Sequence, residues 1–520
     1  MGLLEFFTLT PVTVKLLVAT AALFLIYDWW CHQYFQKHGI PVDRYFPIIG
    51  SPMFLKKGIG YKFVEYQKKY GRIFGSYFFR TPMICITDVD FLKQIMVKNF
   101  SHFVNRRSTL LSRKPMKRGL LGLKDDDWKT VRSVVTPAFS ASKMKQMSSM
   151  INECCDTLVT NFEKMAKEGK PVNCKTLYGG FTMDSIAWCG FGLKVDSLSS
   201  EHNEFVEHAR LAFSFRRSAL LLFITFVPFL NPILEYFDVA LMPAEVATFF
   251  THVTDEARRL RNKERHQGAD QNGHNKNIDT LQLLLNAHNE TAEDEENEAG
   301  PQLNTSKVVK RPLTKDEVTA QGITFFLAGY ETTNTLLGFA SYLLALNQDC
   351  QEKLYSEILD VAPSRELVSY DTVGKMNYLD MVISESLRYY PPVAGFFRTC
   401  NKTFTYDGTT IEKGRSVLIH VYAMHHDEKY WPNPEKFDPE RFSPERKSTI
   451  HPMAYLPFGF GPRSCIGMRF ALLEAKMALV RVLQQYRLDV GPETQIPMKL
   501  HGGIFTAPRE GIQLRPVPRQ

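Results

Sequence analysis

One cysteine near the C-terminus lies in a setting that suits a metal-binding thiolate. Cys465 belongs to the segment Phe458–Gly467, which reads Phe-Gly-Phe-Gly-Pro-Arg-Ser-Cys-Ile-Gly. A glycine-rich turn ahead of a helix directs backbone N–H groups and the positive helix end at the sulfur, and both favour the thiolate. Arg463 adds a nearby cation, and the glycines allow a flat macrocycle to approach the backbone. We therefore predict that Cys465 is a metal ligand, the alternative being a Gly-Pro loop around an inert cysteine.

A second pattern places an acidic and a basic residue on one face of a predicted helix. Glu385 and Arg388 occur in the string Glu-Ser-Leu-Arg, and a Pro-Glu-Arg-Phe string follows at Pro439–Phe442. As an exposed pair at positions i and i+3, the first two residues would contribute only about 0.3 kcal/mol. Spacing alone therefore does not distinguish a surface ion pair from a structural network.

A third pattern interrupts a long apolar helix with glycine and paired hydroxyls. The segment Ala328–Thr333 reads Ala-Gly-Tyr-Glu-Thr-Thr, and the helix begins with a capping box of Thr314 and Glu317. Glycine inside a helix costs about 1 kcal/mol relative to alanine, so helix propensity does not explain the string. We expect another group to approach the backbone here, the alternative being a glycine that serves helix packing beside incidental hydroxyls.

Helical periodicity dominates the elements that must position these motifs, whereas strand-like runs are short. The pattern therefore predicts a mainly α fold with small β-sheets. The predicted helices include Ser142–Lys164, Lys315–Leu346, Val373–Tyr390 and Met468–Tyr486, and the predicted strands include Met83–Thr87 and Ser416–Val421.

Composition excludes several classes of protein. The chain has 520 residues, of which 44% are hydrophobic and 23% charged, and this balance excludes a disordered or polytopic membrane protein. The 63 basic and 55 acidic residues give a net charge of +8, spread along the chain, so nucleic acid is not the expected partner. The nine cysteines include no CxxC pair, which favours a reducing compartment.

The N-terminus carries the membrane signal. From Pro11 to Tyr27 the chain is apolar apart from Lys15, and Trp29 and Trp30 follow where an interfacial aromatic belt would lie. Basic residues follow the apolar run, so the positive-inside rule leaves the downstream chain in the cytosol. We predict one transmembrane helix; a cleaved signal peptide is the alternative, but the leader lacks a basic n-region.

The domain organisation follows from two further segments. The Pro- and Gly-rich run Gly39–Pro52 predicts a stiff hinge after an anchor of residues 1–38. The polar, acidic stretch Asn262–Pro312, with an amphipathic piece at Ile278–His288, predicts a surface loop, because residues expected at one site lie on both sides of it. Residues 39–520 are therefore predicted to form a single catalytic domain.

Taken together, the motifs resemble those of the cytochrome P450 family, the haem-thiolate monooxygenases, from about Pro41 to the C-terminus. The resemblance implies the P450 fold and a haem b whose iron takes its axial thiolate from Cys465. It also implies that Thr332 hydrogen-bonds O2 beside a helix opened at Gly329, while Glu331 helps to deliver protons. Glu385, Arg388 and Arg441 then form a buried structural network behind the haem-binding loop, as Glu-x-x-Arg and a later Arg do in the family.

Basic residues for the haem propionates follow from the same resemblance. Trp128 and Arg132 share a helix face, from which an indole N–H and a guanidinium can reach one carboxylate. Arg106 precedes Arg107, so its register is open, and a solvated basic pair is the alternative. The cofactor-binding residues implied are Arg106, Trp128, Arg132, Arg398, Phe458, Arg463 and Gly467.

Within the family the chain is similar to the drug- and steroid-oxidising family 3 type of animal microsomal enzymes. The evidence includes the Asn-Arg-Arg triplet before Ser108 and the apolar, Pro-broken stretch Phe223–Leu234, which is interpreted as a lid at the membrane or, alternatively, a buried core helix. The resemblance implies a lipophilic substrate, a xenobiotic, steroid or other lipid. The implied pocket residues are Leu121, Phe213, Phe215, Thr324, Leu327, Ala328, Val393, Ala394, Phe396, Phe397 and Ile504.

Electrons must come from another protein, because the chain has no strand-borne GxGxxG and no nucleotide-binding half. The resemblance implies NADPH-cytochrome P450 reductase as the donor, with cytochrome b5 as an optional second one, at the endoplasmic reticulum membrane with the catalytic domain in the cytosol. Two rival functions are a haem-thiolate isomerase or dehydratase of peroxides and a haem-based sensor. The acid–alcohol pair Glu331 and Thr332 argues against both.

Overall fold

Helices form most of the structure, as the periodicity predicts. The computed structural model describes residues 11–51, 59–107, 114–199, 203–213, 236–237, 240, 242–266, 280–286, 311–501 and 504–519. The helices are α1 (Pro11–Cys31), α2 (Tyr34–Lys37), α3 (Ile59–Tyr70), α4 (Val89–Lys93), α5 (Asp125–Val135), α6 (Ala141–Lys167), α7 (Cys174–Phe191), α8 (Glu204–Phe213), α9 (Ala244–His266), α10 (280–286), α11 (Lys315–Leu346), α12 (Gln348–Val361), α13 (Tyr370–Val373), α14 (Asn377–Tyr389), α15 (Val421–His425), α16 (Pro444–Lys447) and α17 (Met468–Leu483).

The strands are short and form small sheets. The strands are β1 (Ile73–Phe78), β2 (Thr81–Ile86), β3 (Val172–Asn173), β4 (Phe396–Thr399), β5 (Phe404–Tyr406), β6 (Thr409–Ile411), β7 (Ser416–Ile419), β8 (Tyr486–Asp489), β9 (Leu500–His501), β10 (Ala507–Pro508) and β11 (Gln513–Pro518). A four-stranded sheet has the order β1-β2-β7-β4, in which β2 and β7 are parallel and the other neighbours antiparallel. A three-stranded sheet has the order β3-β11-β8, and two further sheets, β9–β10 and β5–β6, are two-stranded.

The 32-residue helix α11 runs through the centre of the helical part and packs against α7, α9 and α17. Its predicted capping box is present: the Thr314 hydroxyl accepts from the Glu317 N–H at 3.2 Å, and Glu317 Oε2 accepts from the Thr314 N–H at 2.9 Å. Nearly all of its side chains from Glu317 to Ala345 are buried, which is typical of a helix surrounded by others. The motif at residues 328–333 therefore lies in the interior of the protein.

The apolar N-terminal helix is present, and the residues that follow it pack against the rest of the protein. Val12–Cys31 is long and apolar enough to cross a membrane. Tyr34 and Phe35 are buried in an apolar cluster with strand residues such as Ile84. The described part of the predicted hinge is bonded to β1, since the Gly75 N–H donates to the Pro41 carbonyl at 2.7 Å. Packing of the domain thus begins before residue 39, because these aromatic rings fill space beside β1 and β2.

The predicted surface loop is only partly within the described residues. Helix α9 continues to His266, and the amphipathic piece forms α10, whose Leu281, Leu284 and Leu285 are buried against the helical core. Residues 267–279 and 287–310 lie outside the described residues. So does the predicted lid, Phe223–Leu234.

Candidate active site

The loop before α17 holds Cys465 by backbone hydrogen bonds. The Cys465 N–H donates to the Phe458 carbonyl at 2.8 Å, which closes the loop. Gly459 and Gly461 have φ angles of 68° and 73°, which residues with a side chain rarely adopt. A Cβ at Gly461 would overlap the Met96 carbonyl oxygen, so this glycine is also required by packing. The two glycines therefore allow the observed loop conformation, which places Cys465 just ahead of the N-terminus of α17.

The electrostatic setting of Cys465 combines burial with positive charge. Its side chain has accessible surface although protein surrounds it, so the sulfur lines an interior space. Burial raises the pKa of the Cys465 thiol, while the Gly467 N–H and the cations of Arg106 and Arg132 lower it. These three groups provide the partial compensation that a buried thiolate needs.

Four arginines converge on the same interior space. The guanidinium of Arg398 is 1% exposed, and burial together with Arg106 and Arg463 holds its pKa well below the usual range. Burial, Arg106 and Arg132 lower the pKa of Arg463 to about 9. In the described part of the chain, the Nε atoms of Arg106, Arg398 and Arg463 are buried without a hydrogen-bond acceptor. Buried like charges with free donors call for anionic acceptors between them.

Trp128 belongs to the same cluster. The Arg463 guanidinium lies over its ring at 4.2 Å and also donates to the Leu120 and Leu123 carbonyls at 3.2 and 2.7 Å. The two residues of the basic pair differ in their surroundings: the charge of Arg106 lowers the pKa of the Cys465 thiol, whereas Arg107 donates to Met83 Sδ at 3.3 Å, so Arg106 stays the predicted propionate ligand. Both arginines are at least half-buried, so the alternative of a solvated pair is wrong.

The motif on α11 differs from the expectation in one respect. The helix continues without a break through Gly329, so the expected local opening is absent from this described helix. The group that approaches Gly329 is the Ile186 side chain of α7, which a Cβ at this position would overlap. The glycine therefore allows α7 and α11 to pack closely, as in the packing alternative.

Glu331 and Thr332 have different hydrogen-bond partners. The Thr332 hydroxyl donates to the Ala328 carbonyl at 2.7 Å, one turn earlier. Ala328 is exposed to the interior space, and Thr324, Ala328 and Thr332 recur at intervals of four on one helix face. Glu331 Oε1 instead accepts from Lys175 Nζ of α7 at 3.3 Å. The acid and the hydroxyl thus leave the helix in different directions.

The predicted buried network is present and reaches the cysteine loop. Glu385 accepts two hydrogen bonds from Arg388, at 2.8 and 2.9 Å, and lies 3.4 Å from Arg441 Nε, with all three side chains buried. Arg388 Nη1 donates to the His425 carbonyl at 2.9 Å, and His425 Nε2 accepts from the Leu456 N–H at 2.9 Å. Burial and Arg388 hold the pKa of His425 well below its usual range, so the ring is neutral and can accept.

Several predicted pocket residues lie together. The Ala394 N–H donates to the Ile504 carbonyl at 2.7 Å, Val393 pairs with Phe505, and the Phe505 ring meets Phe213 at 5.7 Å. Leu327 is buried beside the exposed face of Ala328. These contacts connect α8 with the segment before β4, and Phe213 of α8 also packs against the apolar cluster that contains Leu327 of α11.

Other predicted pocket residues are separated from this group. Phe396 lies beside Gly459 and under Arg398, but the next residue on strand β4, Phe397, points to the other face and packs in the cluster of Phe63 and Phe74. Phe397 as a pocket residue is therefore wrong, because side chains alternate along a strand. Leu121 is half-exposed, and Phe215 lies outside the described residues.

Three contributing residues were missed from the sequence. Lys175 is 156 positions from Glu331, and His425 is remote from both Arg388 and Leu456, so no spacing signal could reveal either contact. Phe505, in contrast, adjoins the predicted Ile504 and could have been named with it.

The residues present fit a haem. No group of three or more His, Cys, Asp or Glu side chains in the described segments could hold a metal ion, so a metal on Cys465 needs further ligands from a macrocycle. The four arginines supply donors for carboxylates at the same place. The cysteine loop leaves the sulfur accessible from the interior space, where a flat ring would lie.

Comparison with known proteins agrees with this fit. The family model described as Cytochrome P450 matches residues 40–516. Cytochrome P450 3A29 of Sus scrofa is 38% identical over 98% of this chain and 97% of its own length, and Cytochrome P450 3A6 of Oryctolagus cuniculus is 39% identical over the same shares. These relatives favour the monooxygenase over the isomerase and the sensor. The chain belongs to the cytochrome P450 family, the haem-thiolate monooxygenases that receive electrons from NADPH through a separate reductase.

Proposed function

We propose that this monooxygenase inserts one atom of O2 into lipophilic small molecules in the space between α11 and the segment before β4. The observation that carries the proposal is the convergence of the cations of Arg106 and Arg132 on Cys465, in a protein whose central helix α11 carries Ala328 and Thr332 on one face. The predicted pocket residues that lie together, Val393, Leu327 and Phe213, are apolar, which favours lipophilic compounds such as steroids, other lipids or xenobiotics.

Each residue group has a distinct task in holding the cofactor. Cys465 would ligate the iron, and Arg106, Arg132, Arg398 and Arg463 would bind the propionates through charge-assisted hydrogen bonds. When bound, the haem supplies the activation of O2, and a thiolate ligand favours O–O cleavage. The network of Glu385, Arg388 and Arg441 has no contact of its own with substrate and keeps the cysteine loop in place.

Protons reach the site from the α7 side of α11. Lys175 is half-exposed and pairs with the mostly buried Glu331, so the carboxylate connects solvent with the interior. Thr332 is the next residue, and its hydroxyl can exchange the Ala328 carbonyl for a water molecule or for oxygen. Delivery of a proton from Glu331 to this hydroxyl requires the carboxylate to leave Lys175, because the two side chains extend in different directions.

The cellular setting follows from α1 and from the family. We infer that α1 anchors the chain in the endoplasmic reticulum membrane, with the catalytic domain of residues 39–520 in the cytosol. The aromatic belt at Trp29 and the basic residues after it support this orientation. NADPH-cytochrome P450 reductase, with cytochrome b5 as an optional donor, would then reach the cysteine-loop side from the cytosol.

The experiment that tests the proposal compares two adjacent threonines. Thr332→Ala should keep the reduced carbonyl spectrum of a haem-thiolate protein but lower product per NADPH and raise hydrogen peroxide, because the positioned hydroxyl is lost. The loss should lie within the about 100-fold to 10,000-fold that positioned proton transfer contributes. Thr333→Ala is the matched control, since Thr333 is buried towards Glu474 of α17.

The assay uses reconstituted reductase and a lipophilic compound that shifts the haem spin state. Unchanged coupling in Thr332→Ala would contradict the role of Thr332. Absence of reductase-dependent turnover in the unmodified protein with every such compound would contradict the proposed substrate class.

A further inference from the structure

A buried carboxylate lies near the end of the anchor helix. Asp28 of α1 is 2% exposed, although the apolar side chains before it in α1 are largely exposed. Its Oδ1 accepts from Arg80 Nε at 2.7 Å, and its Oδ2 accepts from the Ile48 N–H at 3.0 Å. Both partners belong to the catalytic domain, so the carboxylate joins the anchor to the turn between β1 and β2.

His32 adds a second contact between the same two parts. One ring nitrogen lies 2.7 Å from the Asp28 carbonyl oxygen and the other 3.2 Å from the Phe79 carbonyl oxygen. The ring stacks on Tyr45 at 4.4 Å, and the Tyr77 hydroxyl donates to the His32 carbonyl at 2.7 Å. The His32 side chain is thus held on several sides.

Arg80 also packs on the anchor through its flat face. Its guanidinium lies 4.2 Å from the ring centroid of Phe24 and 5.8 Å from that of Tyr27. Positive φ angles at Ile48 (70°) and Phe79 (55°) occur at two of the contact points. A β-branched residue adopts such an angle only where its surroundings enforce it, which indicates a rigid joint.

The joint leaves apolar side chains exposed on neighbouring segments. Trp29 and Trp30 are 61% and 60% exposed, and Phe46 and Ile49 in the adjoining turn are 55% and 40% exposed. The hydrogen bond from the Ile48 N–H to Asp28 holds this turn against the last turn of α1, which ends at Cys31. The apolar surface of the turn is therefore continuous with that of the membrane helix.

We propose that the Asp28–Arg80 ion pair clamps α1 to the catalytic domain and holds the turn of Phe46 and Ile49 in the interfacial layer of the lipid bilayer. A charged pair at the end of an apolar helix is tolerated because its partners bury it in protein. The domain then has one orientation on the membrane, set by protein contacts and not by a flexible linker.

The test measures the tilt of the haem plane by polarised absorbance in oriented phosphatidylcholine bilayers, with the full chain. The unmodified protein should give one narrow tilt distribution. Asp28→Ala with Arg80→Ala removes both charges, so no unpaired buried charge remains, and should broaden the distribution and shift its mean. The matched control is Lys68→Ala with Glu428→Ala, which removes an exposed pair of 2.9 Å and should leave the tilt unchanged.

A second readout keeps the proposal testable if the double variant binds little haem. A polarity-sensitive dye attached at Phe46→Cys should be quenched by brominated lipids. The protein without this substitution, treated with the same dye, gives the background signal. The clamp variants should lose this quenching, and the charge exchange Asp28→Arg with Arg80→Asp should restore part of it. An unchanged tilt, or unchanged quenching in the clamp variants, would overturn the proposal.

Discussion

The buried network behind the cysteine loop allows a quantitative prediction for Glu385→Ala. Glu385 neutralises Arg388 and Arg441 and also accepts from the Asp438 N–H at 2.9 Å. Removing it leaves two buried guanidinium groups without their acid, which typically destabilises a protein by about 3–5 kcal/mol. Total stabilities are about 5–15 kcal/mol, so this change removes a large part.

The same free energy can be expressed as a population. At about 1.4 kcal/mol for each factor of ten, the unfolded fraction rises by about 140-fold to 4,000-fold. The loss of Glu385 should also affect the haem site. Arg388 donates to the His425 carbonyl, and His425 accepts from the Leu456 N–H just before the cysteine loop. We therefore expect Glu385→Ala to accumulate without haem.

Two measurements check this reasoning: haem content from the reduced carbonyl spectrum, and urea unfolding followed by tryptophan fluorescence. Glu440→Ala is the control, since it removes a carboxylate beside Arg441 whose ion pair with Lys353 is exposed and is worth at most about 1 kcal/mol. Normal haem content together with an unchanged unfolding midpoint in Glu385→Ala would refute the assigned role of the network.

Four further outcomes are expected. Cys465→Ala should lose the thiolate-type carbonyl spectrum, and its retention would place the ligand elsewhere. Arg398→Gln should weaken haem retention during gel filtration, whereas Arg107→Gln should not; equal loss would argue against the arginine cluster. Lys175→Met should lower product per NADPH by less than ~100-fold, the lower end of what positioned proton transfer contributes. In the double variant with Glu331→Gln, it should cause no further loss. Deleting residues 1–27 should move protein from the membrane pellet to the supernatant with haem retained, while deleting residues 1–36 should reduce haem content, because Tyr34 and Phe35 are core residues.

Features set by local spacing could be predicted from the sequence. The capping box of Thr314 and Glu317 and the pairing of Glu385 with Arg388 involve residues three positions apart, so the helix itself brings them together. The small sheets also follow from short apolar runs. Alternation along β4 would even have separated Phe396 from Phe397, had the period of two been applied there.

Contacts between remote segments could not be predicted in this way. Ile186 against Gly329 and Lys175 against Glu331 depend on how α7 lies along α11, and nothing in either segment alone specifies that arrangement. The contacts of the predicted hinge depend on remote segments in the same way. The run Gly39–Pro52 has the composition of a hinge, but its bonds to β1 and the partner of Asp28 come from elsewhere in the chain.

The four arginines around the cysteine also have a consequence for biogenesis. Without a dicarboxylate ligand, the four guanidinium groups repel one another inside the protein. The newly made chain therefore contains an unfavourable concentration of positive charge in its interior. A bound haem would supply the counter-charge for these arginines, and a ligand present at 1,000 times its dissociation constant adds about 4 kcal/mol of stability. The yield of folded protein in a cell should accordingly follow the supply of porphyrin, and compounds that compete for it should send the chain to degradation.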